Sequence, residues 1–220
     1  MATILITGAN RGIGLALAQQ FAARGDQVIA VCRHSSEALD ATSARVEAGI
    51  DVTDDTAVQA FAQRLGDLRI DTLVLNAGVL ERDALTKLDF DGVRRQFEVN
   101  ALGPLRVAHA LRDRIADGGK VALMTSRMGS MEDNTSGGFY GYRASKAALN
   151  AIGKSLALDL APRGISVVLL HPGYVGTDMV GGSGDVTPEQ AATQLIARID
   201  ALAPKTSGTF QHANGTSLPW

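Results

Sequence analysis

The stretch from Ile4 to Phe21 constrains the chain most. Ile4-Leu5-Ile6 is a short β-branched and apolar run and reads as a buried strand. It passes straight into Thr7-Gly8-Ala9-Asn10-Arg11-Gly12-Ile13-Gly14, and then into Leu15-Ala16-Leu17-Ala18-Gln19-Gln20-Phe21, a helical pattern. Where a strand, a glycine turn and a helix start follow one another, free backbone N–H groups and the helix dipole converge on an anion. The glycines permit the tight turn and let a ligand approach the backbone. The spacing is G-x-x-x-G-x-G, not the commoner G-x-G-x-x-G. Glycine triplets also occur as ordinary turns, so it is the placement between first strand and first helix that makes this a nucleotide site. Gly8, Asn10, Arg11, Gly12, Ile13 and Gly14 are its candidate contacts.

The rest of the chain repeats the alternation. Gln27 to Cys32 reads as the second strand, Ser35 to Ala48 as a short helix, and Ile50-Asp51-Val52 as a short strand end. Ala57 to Leu65 is helical in pattern, and Asp71 to Leu75 is a fourth strand ending in Asn76-Ala77-Gly78. From Asp89 to Ile115 apolar residues recur at threes and fours, with a kink predicted at Gly103-Pro104. Val121 to Ser126 is the fifth strand, Ile165 to Leu170 the sixth, and the latter ends at His171-Pro172-Gly173. Strands alternating with helices predict an α/β fold: a single-domain, doubly wound parallel sheet of Rossmann-like type over residues 1–220. Gly181-Gly182-Ser183-Gly184 reads as a mobile lid or as a plain linker.

Two features carry chemistry. The run from Gly138 to Leu160 holds no proline and reads as one long helix, so Tyr142 and Lys146, four apart, share a face. A cation beside a phenol favours the phenolate, and a tyrosine so tuned can exchange a proton with an alcohol or carbonyl oxygen. A lone Tyr/Lys pair at this spacing is more often a surface contact, so the pair gains weight only from its neighbours. The second feature is charge at the end of the second strand. An acid about 20 residues past the glycines would hold a ribose 2′-hydroxyl. Here the strand ends Cys32-Arg33-His34, and Arg33 with Arg11 suits a 2′-phosphate, hence NADP. The competing reading is that both arginines are solvated surface.

Composition excludes other classes. With 45% hydrophobic and 20% charged residues and net charge −2, nothing suggests nucleic acid, and no apolar run approaches a membrane span. The N-terminus lacks a secretory signal, and one cysteine, Cys32, allows no internal disulfide or cysteine zinc cluster. The four histidines are scattered, so no metal is expected. A cytoplasmic location follows as the expectation.

Taken together, Thr7-Gly8-x-x-x-Gly12-x-Gly14, Asp51-Val52, Asn76-Ala77-Gly78, Asn100, Ser126, Tyr142-x-x-x-Lys146 and Pro172-Gly173 resemble the short-chain dehydrogenase/reductase superfamily in its single-domain branch. The likeness runs from about residue 3 to 215. Asn134 to Gly138 just before Tyr140-Gly141-Tyr142-Arg143 is most similar to sniffer-type carbonyl reductases and bacterial C-factor proteins. The resemblance implies a catalytic tetrad of Asn100, Ser126, Tyr142 and Lys146. In it Ser126 bonds the substrate oxygen, Tyr142 gives the proton, Lys146 tunes the tyrosine and binds the nicotinamide ribose, and Asn100 holds a relay water. Tyr140 lacks a lysine four residues on, and Ser130 lies past Gly129, so neither competes.

The same likeness places Asp51 and Val52 against the adenine and Asn76, Ala77 and Gly78 along the cleft. Pro172, Gly173, Val175 and Thr177 lie at the nicotinamide end, with Thr177 on the carboxamide. The gap from Ser126 to Tyr142 is longer than the family's usual one, and the region after Thr177 is short and glycine-rich. The expected function is NADPH-dependent reduction of a ketone, aldehyde or quinone. The alternative is a dinucleotide-binding signalling protein of C-factor type with vestigial catalysis. Too little chain follows Pro172-Gly173 for the substrate domain of a sugar-nucleotide epimerase. Candidate pocket residues are Met128, Met131, Phe139, Tyr174 and Met179. Small side chains at Ala144, Ala147, Ala148, Ala151 and Gly153, with the helix from Phe97 to Leu111, suggest a homodimer.

Overall fold

The computed structural model describes residues 1–220. Seven strands form one sheet: β1 (Thr3–Thr7), β2 (Gln27–Val31), β3 (Arg45–Glu47), β4 (Ile70–Leu75), β5 (Ile115–Met124), β6 (Ser166–His171) and β7 (Thr209–His212). All neighbours pair parallel, in the order β3-β2-β1-β4-β5-β6-β7. The order reverses between β1 and β4. A crevice therefore opens at their carboxyl ends, where the connections leave towards opposite sides.

Helices α1 (Gly12–Ala23), α2 (Glu37–Asp40), α3 (Asp55–Arg64), α4 (Phe90–Phe97), α5 (Gly103–Leu111), α6 (Tyr140–Asp159) and α7 (Pro188–Asp200) cover both faces. Residues of α3, α5 and α6 share one buried cluster with Leu5, Leu73 and Val121 of the sheet, while α1, α2 and α7 share the other with Ile4, Val74 and Ala122. Adjacent strand residues thus feed opposite cores, as a pleated sheet covered on both sides requires. No helix is long and apolar enough to cross a membrane.

Four expectations need correction. The third strand is Arg45–Glu47 and not Ile50 to Val52, which follows it as a loop although Ile50 and Val52 are buried. The helix expected over Ser35 to Ala48 is a single turn, α2, capped by Ser36 through the N–H of Leu39. Thr42 and Ser43 behind it favour turns over a longer helix. The long helix from Asp89 is split by a π-helical segment, Glu98–Leu102, in which Gly103 N–H reaches the carbonyl of Glu98. Pro104 has no N–H for the carbonyl of Asn100, so the disruption falls one turn before the predicted kink. A seventh strand, Thr209–His212, closes the sheet beyond the six expected.

Candidate active site

The glycine turn is built around contacts that exclude side chains. Gly8 (φ +68°) gives its N–H to Val31 at 2.8 Å, and a Cβ there would lie 2.8 Å from Ala77 Cα. A Cβ on Gly14 would lie 2.1 Å from the Gly8 carbonyl oxygen and 2.6 Å from Asn76 Nδ2. Asn76 donates to the carbonyls of Thr7 (3.1 Å) and Gly8 (3.2 Å), and Thr7 Oγ1 accepts the N–H groups of Asn76 and Ala77. The Asn76-Ala77-Gly78 turn is therefore tied to the glycine turn across the crevice. Helix α1 starts with no side-chain cap and no acid in its first turn, which leaves its N–H groups for an anion.

A cleft of about 610 Å³ runs from here along the sheet edge. Gly8, Asn10, Arg11, Gly12, Ile13, Gly14, Arg33, Asp51, Val52, Asn76, Ala77, Gly78, Tyr142, Lys146, Pro172 and Thr177 all line it. The uncapped helix end, the glycine cradle and two arginines fit a dinucleotide with a phosphorylated adenosine. Arg33 is exposed and sits 3.8 Å from the Asp51 carboxylate, while Arg11, also exposed, sits 3.7 Å from Asp178. Burial alone would raise the Asp51 carboxyl, but hydrogen bonds from Thr53 and the nearby arginines outweigh it and hold the group below the usual range. Met179, a candidate pocket residue, lines the cleft as well, and so do His34 and Val99, which were not anticipated.

Two nicotinamide-end residues fall elsewhere. Val175 is buried and bridges Val186, and the wall it was expected to supply comes from Gly176. Gly173 (φ +94°) turns the chain beside His212 instead of facing the cleft.

Of the expected tetrad, Tyr142 and Lys146 line the other end of the cleft, while Ser126 and Asn100 are buried and do not line it. Tyr142 and Lys146 are buried on the first two turns of α6, and Lys146 Nζ lies 5.8 Å from the Tyr142 ring centroid. Nζ donates to the carbonyl of Met124 at 2.8 Å. Burial pushes the Lys146 amine down to about 8. Burial also raises the Tyr142 phenol, and a hydrogen bond with Ser126 only partly offsets it. The lowered phenol anticipated from the helical pair is therefore absent here: the amine is held by a carbonyl on the strand side, and loss of water dominates.

Ser126 lies two residues past the end of β5, which stops at Met124 and not at Ser126 as expected. It caps the short turn Arg127–Gly129, with its hydroxyl accepting from Met128 N–H at 3.1 Å. Asn100 is fully buried behind the cleft wall, and its side chain is spent: Oδ1 accepts from Val79 N–H, and Nδ2 donates to Val79 O and to Ser145 Oγ at 3.0 Å. Ser145 Oγ in turn donates to the carbonyl of Tyr142 at 2.8 Å. The sequence reading missed Ser145, although its place between Tyr142 and Lys146 could have drawn attention. Thr125 and Asn150, joined at 2.7 Å, anchor the same helix to the end of β5.

The short chain dehydrogenase family model matches residues 2–201. The chain belongs to the short-chain dehydrogenases. Among its relatives is the 1-hydroxy-2-glutathionyl-2-methyl-3-butene dehydrogenase of Rhodococcus sp. AD45, 47% identical over the full length of both chains. The C-signal of Myxococcus xanthus is 43% identical, covering 74% of this chain and all of that one. Among solved structures, the carbonyl reductase Sniffer of D. melanogaster superposes with a TM-score of 0.92 at 30% identity, and a carbonyl reductase from Pseudomonas aeruginosa PAO1 in complex with NADP with 0.87 at 36%, each over the whole of both chains. The short-chain dehydrogenase fold, the oxidoreductase class and the kinship with sniffer-type reductases and C-signal are thereby established.

Proposed function

We propose that this short-chain dehydrogenase interconverts a carbonyl compound and its alcohol with NADP(H), and that Tyr142 moves the proton. The observation that carries this reading is the single cleft joining the uncapped α1 terminus to the Tyr142 phenol. The glycine turn and the α1 terminus would hold a dinucleotide whose chemistry is hydride transfer to or from the substrate carbon. Ser126 and Tyr142 would hold the substrate oxygen, and the phenol, kept protonated by burial, would give it a proton during reduction. Lys146, cationic near neutral pH, would steady the phenolate so formed and bond the ribose. Because its side chain is engaged, Asn100 would hold a relay water through its main-chain carbonyl, which Pro104 leaves without an α-helical donor. Arg11 and Arg33 would read the 2′-phosphate.

The test is turnover of a panel of ketones, aldehydes and quinones with NADPH, alongside Tyr142→Phe. Tyr142→Phe should lose about 10²–10⁴ in kcat while cofactor affinity stays within a few-fold. A variant retaining more than about a tenth of the rate would remove the proton-donor role. Tight NADPH binding with no turnover of any member would favour the signalling protein with vestigial catalysis, the reading suggested by kinship with C-signal. The full-length likeness to the Rhodococcus enzyme favours one addition to the panel, run with NADP: a glutathionyl thioether bearing a primary alcohol.

A further inference from the structure

The segment leaving β4 is a strap whose alternate residues grip the catalytic wall. Val79 holds Asn100 through its N–H and carbonyl. Glu81 gives its N–H to Gln96 Oε1 at 2.9 Å, and its carboxylate pairs with Arg95 at 2.8 Å. Asp83, two residues further, reaches the N-terminus of α6. Its carboxylate accepts the N–H groups of Tyr140 and, at 2.9 Å, Gly141, and its carbonyl accepts Phe139 N–H at 3.0 Å. No local side chain caps this helix, because Phe139 stands at the N-cap with φ +51°. Gly137 and Gly138 before it are also left-handed, so three successive residues hold a conformation that asparagine or glycine would favour. Arg82 lies over the Phe139 ring at 5.9 Å.

We propose that Asp83 is the positioning residue of Tyr142, a role that rests on the reading of Tyr142 as proton donor. Tyr142 is the third residue of α6, inside the turn that Asp83 fastens. Lys146 sits one turn further on and has its own anchor in the Met124 carbonyl. The two are therefore held independently. Releasing the first turn lets the phenol drift while the amine, the glycine turn and the arginines stay in place. Gly141 permits the clamp, since a Cβ there would meet Gln96 Nε2 at 2.6 Å and Asp83 Oδ2 at 3.2 Å. Asp83 touches no reacting atom, so its effect passes through geometry.

Asp83→Ala, Asp83→Asn and, as a control, Asp54→Ala separate this from loss of a cap alone. Asp54 caps α3 through Ala57 N–H at 3.0 Å, away from the tetrad. Asp83→Ala should lower kcat about 10- to 100-fold, the scale of an ångström-sized misplacement. Its Kd for NADPH should stay within about twofold, because the groups that hold the cofactor do not move. Asp83→Asn keeps one acceptor oxygen and should recover to within about threefold of wild type, and Asp54→Ala should leave kcat unchanged.

Folded Asp83→Ala with kcat within about threefold of wild type, or with cofactor affinity falling in step with kcat, overturns the assignment. Should the wild type turn over no substrate, the functional reading fails separately. The positioning claim is then read from the ring resonances of ¹³C-labelled tyrosine, with Tyr142 assigned through Tyr142→Phe. With one of the two acceptor oxygens lost, the Tyr142 resonance in Asp83→Asn should move along with that of Tyr140, by less than in Asp83→Ala. Movement of Tyr140 alone would overturn it, and this milder variant serves if Asp83→Ala does not fold.

Discussion

Arg33 and Lys146 carry opposite electrostatic problems, and each yields a measurable sign. Arg33 is exposed and loosely held by Asp51, so a 2′-phosphate meets a free guanidinium at little cost in broken contacts. If it forms, one charge-assisted bond, about 1.5–3 kcal/mol before screening, should make NADPH preferred over NADH by at least about tenfold in kcat/KM. Arg33→Asp should shrink or reverse that ratio, and equal efficiency of the wild type with both cofactors would show that the arginine reads no phosphate. Lys146 is buried, and its amine falls from 10.5 to about 8. Between those pH values the unfolded chain binds a proton that the folded one has released, so stability rises with pH across the window. Lys146→Met should lack that rise, on the order of 3 kcal/mol between pH 8 and 10.5. Urea midpoints at pH 8 and 10 for the two proteins check it, and parallel slopes would refute it. Both residues were visible in the sequence, because a four-residue spacing and a strand end are local patterns. The direction of the Tyr142 shift was not, since burial is a property of the packed site.

Among the elements, α6 shows how much a helix can owe to distant chain. Its inner face closes on the sheet at Gly153, where a Cβ would lie 2.7 Å from Leu169 Cδ2. Gly153→Val should overpack this contact and cost about 1–3 kcal/mol, a fall of several degrees in Tm for a chain of this size. A melting temperature within a degree of wild type would mean that β6 yields freely. Helices and inner strands were legible because apolar periodicity reports on them directly. β7 was not, as Thr209-Phe210-Gln211-His212 is short and half polar and is a strand only because β6 offers it an edge. Asp83 was equally invisible, lying 57 residues from the backbone it caps. The π-helical turn at Asn100 left only Pro104 as its trace.

At the level of the whole molecule, the outer face of α6 is unaccounted for by the sheet. Ala144, Ala151 and Leu158 recur at sevens and are all exposed, Leu158 at 67%, and Phe97 and Leu105 are large apolar side chains at 38% each. We expect this stripe to meet its copy in a two-fold dimer, and Leu158→Glu to yield monomers by light scattering at micromolar protein. A wild type that is already monomeric there would end the idea. The strand order also sets a timetable for synthesis. β1, β2 and β3 can pair once Glu47 has left the ribosome, and β4 to β6 then add outward in turn. β6, buried along nearly its whole length in the finished protein, keeps its far edge bare until His212 arrives. Through all of α7 and the turn after it, the nascent chain carries an apolar strand with open hydrogen-bonding groups, a template for any neighbour on the same polysome. The last strand, four residues of modest character, is what ends that exposure.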